Sequence, residues 1–226
     1  MDIPMNLREK AVYWTKTTGV LPAMKLKHET ESIVPYVGAM LEAGIHVVEV
    51  TLTTPGVLRH FEAIRKEFGE EVIPASGTTL DAAAARDAFL AGAGVIVSPM
   101  LKPEVIATAH RYGAACFIGA FTATEVLTAI EAGAEMVKIF PAALGGPKYM
   151  TNLKMVFPEV NLIPSGGISL ETAGEFIRCG ACAISGARNF FDYEMVQKHG
   201  LGWITQQAKQ YIQIVAEARK NAPPLP

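Results

Sequence analysis

Glu131-Ala132-Gly133-Ala134-Glu135-Met136-Val137-Lys138-Ile139-Phe140-Pro141-Ala142 reads as the end of a helix running straight into a strand. Gly133 stands where helices commonly close on a left-handed residue. The residues from Met136 to Phe140 form a short apolar run interrupted by Lys138 alone. The same seam recurs at Glu42-Ala43-Gly44, Ala91-Gly92-Ala93-Gly94 and Arg178-Cys179-Gly180-Ala181. Outward from it, short apolar runs fall at 20–24, 46–52, 72–76, 94–98, 115–118, 136–140, 161–164 and 182–186. Helical patterns fill the intervals at 32–42, 56–68, 79–91, 103–112, 124–132, 146–157 and 170–179.

About eight strand-helix units with short connections make consecutive strands parallel. They predict an α/β fold of the (β/α)8 TIM-barrel class. An open doubly wound sheet is the alternative, but no Gly-x-Gly-x-x-Gly turn follows the first strand. An extra amphipathic N-terminal helix is expected over 7–18, ended by Gly19, and a last helix around 203–220 packs outside. No internal linker is visible, so residues 1–221 are expected to form a single barrel domain. The proline-rich stretch 222–226 is expected to be a mobile tail.

The 226 residues carry a net charge of -2, which offers no reason to expect nucleic acid or an anionic membrane as partner. No apolar run approaches the roughly 20 residues that cross a bilayer. The start lacks the basic flank and apolar region of a secretory signal. Cys116, Cys179 and Cys182 cannot all pair within one chain, which favours a reducing compartment. A cytoplasmic location is therefore expected. Cys179 and Cys182 have the spacing of a metal or redox pair, but a structural zinc site wants four ligands and no second such pair exists. They read as inert packing thiols.

Strand side chains alternate between the surrounding helices and the barrel interior. In the second strand Val48, Val50 and Leu52 form the helix-facing set, which sends Val47, Glu49 and Thr51 inward. In the sixth, Val137 and Ile139 face the helices, so Met136, Lys138 and Phe140 are expected to face the axis. Glu49 and Lys138 then converge in one enclosed space. A structural ion pair is one explanation, but burying such a pair costs several kcal/mol in desolvation. Titratable groups near the carboxyl ends of barrel strands more often perform chemistry. An amine in a water-poor cavity sheds its proton more readily and can attack a carbonyl to form a Schiff base.

The loops at that end suit a small anion. Ser165-Gly166-Gly167-Ile168-Ser169 leads from the seventh strand into a helix, so its backbone N–H groups can approach an anion. Ser169 would cap that helix, with Glu171 in its first turn. Gly186-Ala187-Arg188-Asn189 brings another glycine and a cation after the eighth strand. Ser76-Gly77-Thr78-Thr79 offers a hydroxyl and N–H groups suited to a carboxylate, although Thr79 reads equally as a helix cap.

From about Thr17 to Arg188 these residues resemble the 2-keto-3-deoxy-6-phosphogluconate and 4-hydroxy-2-oxoglutarate aldolases, which are class I pyruvate aldolases. The resemblance is carried by Val20-Leu21-Pro22, Val48-Glu49-Val50-Thr51-Leu52, Gly77-Thr78, Ser98-Pro99, Lys138-Ile139-Phe140-Pro141-Ala142 and Pro164-Ser165-Gly166-Gly167-Ile168-Ser169. It implies that Lys138 forms the imine and that Glu49 moves protons through a water. It assigns Thr78 and the Pro99 backbone to the pyruvate carboxylate and carbonyl, Phe140 to the pocket wall and Ser165 to the choice of aldehyde face. It further implies a homotrimer and a reaction that needs neither cofactor nor metal.

Four departures from the family stand out. Thr53 occupies the place of an arginine that follows the acid/base strand, with Lys25 as a partial substitute. Ala187 replaces a phosphate-contacting serine, with Arg188 as possible compensation. Ala143 stands where acidic residues are common, and the run from Gly119 to Glu125 lacks the usual prolines.

Aldol cleavage of a 2-keto-4-hydroxy acid to pyruvate and an aldehyde is the expected function. A sugar-phosphate isomerase or epimerase on the same barrel is the alternative, as is an inactive barrel used for binding or assembly. A metal-dependent aldolase is not expected, because His28, His46, His60, His110 and His199 gather no carboxylate partners at ligand spacing.

Overall fold

The structure is a computed structural model that describes residues 5–26 and 32–222. Helix α1 (Leu7–Thr18) comes first. Strands and helices then alternate as β1 (Val20–Met24), α2 (Val34–Glu42), β2 (Val47–Thr51), α3 (Val57–Phe68), β3 (Ile73–Gly77), α4 (Ala82–Leu90) and β4 (Val95–Val97). They continue through α5 (Pro103–Tyr112), β5 (Ala115–Ala120), α6 (Ala123–Glu131), β6 (Met136–Ile139), α7 (Ala142–Val156), β7 (Leu162–Pro164), α8 (Leu170–Arg178) and β8 (Ile184–Gly186). Helices α9 (Tyr193–His199) and α10 (Gly202–Lys220) complete the chain.

All neighbouring strands are parallel, and β1 pairs with both β2 and β8. A single parallel bridge between Ser165 and Ser185 joins β7 to β8 and closes the barrel. The expected (β/α)8 architecture is therefore present. Its interior is filled by Leu21, Val47, Ile73, Val95, Phe117, Met136, Ile163 and Ala183, while Val48, Val50, Ile96, Ile118, Val137 and Ile184 pack against the helix shell. In β2 and β6 the alternation read from the sequence agrees, with Val47 and Met136 inside and Val48, Val50 and Val137 against the helices.

Helix α1 seals the amino-terminal end of the barrel. Its Ala11 is fully buried in the interior cluster, with Leu7, Val12 and Trp14 packed against it. The Glu135 carboxylate, just before β6, fixes this plug: it accepts from Arg8 Nε at 2.8 Å and from the Cys116 N–H at 2.7 Å. With that end stoppered by apolar side chains, the other end is left for a site. Among the described residues no helix is long and apolar enough to cross a membrane.

Several boundaries differ from expectation. The helix expected over 146–157 is preceded by a turn from Ala142, because Gly146 breaks the helical path at φ 65°, ψ -177°. Helix α9 was not anticipated; its start is fixed by Asp192, whose carboxylate accepts from the N–H groups of Glu194 and Met195. Asp81 rather than Thr79 caps α4, since the Thr79 hydroxyl is turned back to the Ser76 carbonyl at 3.0 Å. Most of the expected tail, 223–226, and His28 lie outside the described residues.

Candidate active site

Lys138 on β6 and Glu49 on β2 meet inside the barrel. Lys138 Nζ donates to Glu49 Oε2 at 3.2 Å and lies 3.4 Å from Oε1. Both are nearly inaccessible, with 8% and 2% of their surfaces exposed. Strand register explains how two long charged side chains fit: Glu49 lies between Ala23 and Ala75 on the flanking strands, and Lys138 lies beside Gly119. Small neighbours flank Glu49 on both sides and Lys138 on the β5 side, while Ile163 of β7 packs along the other side of the lysine.

Two glycines shape this space. A Cβ on Gly77 would fall 2.2 Å from Glu49 Oε1, so any side chain there would displace the carboxylate. A Cβ on Gly119 would fall 2.0 Å from the Pro99 carbonyl carbon and 2.4 Å from Met100 N. The Pro99 backbone is thereby laid over β5, next to the strand that carries Lys138. Thr78 follows Gly77 at φ 58°, a left-handed conformation that costs a residue other than glycine about 1 kcal/mol or more. The turn is held by Leu52 N–H on the Gly77 carbonyl at 2.7 Å and Thr79 N–H on the Val97 carbonyl at 3.0 Å.

Phe140 is not enclosed in the interior as Met136 and Lys138 are. Strand β6 ends at Ile139 because Pro141 has no N–H with which to continue the ladder. The Phe140 ring emerges at the mouth, 40% exposed, where a Cβ on Gly166 would lie 3.0 Å from its Cε2. Gly166 and Gly167 adopt φ of 87° and 80°, and the loop they form is stitched to α7 by Ala142 N–H on the Ser165 carbonyl and Ala143 N–H on the Gly166 carbonyl. Ser165 is buried beside Ile139, whose carbonyl accepts its N–H at 2.9 Å.

The rim residues are more scattered. Thr53 is exposed, its hydroxyl 2.9 Å from that of Thr51. Lys25 is exposed at the end of β1. The Arg188 side chain, 89% exposed, points to the Asp192 carboxylate at 3.6 Å, and Gly186 is half-buried at the end of β8. Asn189 Nδ2 donates to the Ile168 carbonyl, tying the β7 and β8 loops together. At the start of α8 the Ser169 N–H donates to the Thr172 hydroxyl, and the Glu171 carboxyl is held below its ordinary value by the Ser169 hydroxyl and its own N–H.

Sequence reasoning missed the clamp on the loop after β5. Glu125 accepts from the N–H groups of Phe121 and Thr122 and from the Thr122 hydroxyl, which hold its carboxyl below the usual range. Tyr149 on α7 donates its hydroxyl to the Phe121 carbonyl. These bonds fix a loop that has no proline of its own; the Thr122-x-x-Glu125 spacing is the signal that could have disclosed it. Among the described residues, no group of three or more His, Cys, Asp or Glu side chains is placed to hold a metal.

A parallel barrel with one end plugged, and a buried amine hydrogen-bonded to a carboxylate among the strands, is an arrangement that can do chemistry on carbonyl compounds. A model of the KDPG and KHG aldolase family matches residues 13–207. The chain is 35% identical over 169 residues to the 2-dehydro-3-deoxy-6-phosphogalactonate aldolase of Escherichia coli K12, covering 74% of this chain and 78% of that one. It is 32% identical over 197 residues to the 2-dehydro-3-deoxy-phosphogluconate aldolase of Treponema pallidum, covering 87% and 93%. A KDPG aldolase from Legionella pneumophila, solved with pyruvate captured as a covalent carbinolamine, superimposes with a TM-score of 0.81 at 26% identity, over 88% of this chain and 96% of that one. The protein belongs to the KDPG and KHG aldolase family and is a lyase, a class I pyruvate aldolase.

Proposed function

We propose that Lys138 is the imine-forming residue and Glu49 its proton-transfer partner in the reversible cleavage of a 2-keto-4-hydroxy acid. The observation that carries this reading is the 3.2 Å contact between Lys138 Nζ and the Glu49 carboxylate inside the barrel. Glu49 takes a proton from the amine, which attacks the substrate C2 carbonyl to give a carbinolamine. Loss of water, with a proton returned through Glu49, leaves an iminium at C2. The electrons of the C3–C4 bond then flow to the iminium nitrogen as the C4 hydroxyl gives up its proton to the Glu49 carboxylate, directly or through a water, releasing an aldehyde and leaving an enamine. Protonation at C3 and hydrolysis release pyruvate and restore the lysine. No electrons enter or leave, so no redox cofactor is called for, and the iminium nitrogen is the electron sink in the place a Lewis-acid metal would otherwise take.

Thr78 and the Pro99 backbone are assigned to the pyruvate carboxylate and carbonyl, and Phe140 to the wall at the mouth. Ser165 is assigned to the incoming or departing aldehyde, and the Gly166, Gly167 and Gly186 backbone, Arg188, Thr53 and Lys25 to the distal end of the substrate. The 2-keto-3-deoxy-6-phosphogluconate and 4-hydroxy-2-oxoglutarate types are the proposed substrates, supported by the activities named for the relatives. A homotrimer is also proposed. It draws support from apolar side chains left in solvent, such as Leu144 at 78% exposure, and from a designed protein cage made by fusing symmetric oligomeric domains, one chain of which superimposes with a TM-score of 0.82 at 28% identity over 90% of this chain and 74% of that one.

The test is borohydride reduction in the presence of pyruvate, followed by peptide mass analysis. An adduct on Lys138, absent from Lys138→Ala, is expected; an adduct elsewhere or none at all overturns the assignment. An isomerase would be indifferent to the treatment.

A further inference from the structure

Ser185 enters the barrel interior without any part in the scheme above. It follows Ala183, an interior residue, by one full alternation, while Ile184 between them packs against the helices. It has no exposed surface. Its hydroxyl lies 3.5 Å from the Ser165 hydroxyl, across the single bridge that closes β7 onto β8. A hydroxyl this deep needs a hydrogen-bonding partner, since leaving it without one costs more than an ordinary hydrogen bond returns. The same position filled by an aliphatic side chain would pack with Ala183 and Leu21 at no polar cost, so the serine here is a departure from the composition of the interior.

Resting on the reading of Ser165 as the residue that meets the aldehyde, we propose that Ser185 is a positioning residue that fixes the Ser165 hydroxyl. Ser165 Oγ is the donor toward Ser185 Oγ. That bond selects one rotamer of Ser165 and directs its lone pairs to one side of the β7 mouth. The C4 hydroxyl of the keto acid, a donor, then meets the oriented lone pairs of Ser165 on one face only. The stereochemistry at C4 is thus set by a hydroxyl that does not itself touch the substrate, and the closure of the barrel at this seam supplies the rigidity.

The experiment measures the ratio of the two C4 epimers formed from pyruvate and D-glyceraldehyde 3-phosphate or D-glyceraldehyde, alongside the rate of borohydride trapping of pyruvate. Ser185→Ala is expected to lower the epimer ratio about two- to threefold, the factor supplied by a hydrogen bond at the weak end of the ordinary range, as its 3.5 Å length requires. Trapping of pyruvate should stay within about twofold, because imine formation precedes any contact with the aldehyde. Ser185→Thr, which keeps the hydroxyl, should restore the ratio. Ser165→Ala/Ser185→Ala should match Ser165→Ala alone, since one residue acts through the other. An unaltered ratio in Ser185→Ala, with trapping intact, overturns the assignment of Ser185 and leaves the imine mechanism standing. Absence of trapping in the unsubstituted protein overturns both.

Discussion

Gly77 and Glu49 compete for one volume: a Cβ on residue 77 would stand 2.2 Å from Oε1 and 2.7 Å from Cγ of the glutamate. The backbone of β3 therefore serves as the floor against which the carboxylate rests. Gly77→Ala is expected to move Glu49 off Lys138 and to lower kcat for pyruvate release by about 100-fold, the lower end of what a positioned acid-base group supplies. Circular dichroism should show the fold retained, which separates a misplaced carboxylate from a collapsed barrel.

The Lys138–Glu49 pair is expected to cost stability as well as to provide activity. Removing one partner strands the other as a buried charge, so Lys138→Met should lower stability by about 3 kcal/mol. Removing both, in Glu49→Gln/Lys138→Met, should bring stability back to that of the unsubstituted protein or above it. Urea denaturation of the unsubstituted protein and the two variants measures this, and a double variant less stable than Lys138→Met would contradict it.

Acid stability should register the clamp on the loop after β5. The Glu125 carboxyl is held low by three hydrogen bonds, so its contribution is fully present above the unfolded carboxylate pKa of about 4.3 and is lost as pH falls through the lower folded value. Glu125→Gln should be less stable than the unsubstituted protein at pH 7, and the difference should close in the acid range below about pH 4. Denaturation curves at successive pH values provide the comparison.

Two thiols, Cys116 and Cys182, should be protected in the folded protein. Burial pushes Cys182 up to about 11 and Cys116 higher still. At pH 8 a thiol with that pKa is about one part in a thousand thiolate, against roughly a quarter for an unhindered cysteine. Alkylation of Cys182 and Cys116 should therefore be about two orders of magnitude slower in the native protein than in the unfolded chain. Mass mapping of the modified sites over time checks it.

Much of this architecture was legible in the chain. The glycine-closed seams and apolar runs gave the order of strands and helices, and their number gave the barrel. Period-two alternation sent Glu49 and Lys138 inward with Val47 and Met136, because a strand has only two faces and the apolar neighbours occupied the other. Local pattern has less to say where a strand stops. Phe140 kept the period on paper but left the interior once Pro141 ended the ladder, and Arg188 turned to Asp192, the cap of a helix that had no clear periodic signal.

The sequence by itself determined most of the elements, their parallel arrangement and the inward face of Glu49 and Lys138. Those depend on contacts between neighbours along the chain. Tertiary structure alone decided depth and distance: that residues 89 positions apart meet at 3.2 Å, that Gly77 backs one of them, and that Ser165 and Ser185 close the ring. Depth follows from the stagger of strands around a closed barrel, which is a property of all eight strands together and is written in no single one of them.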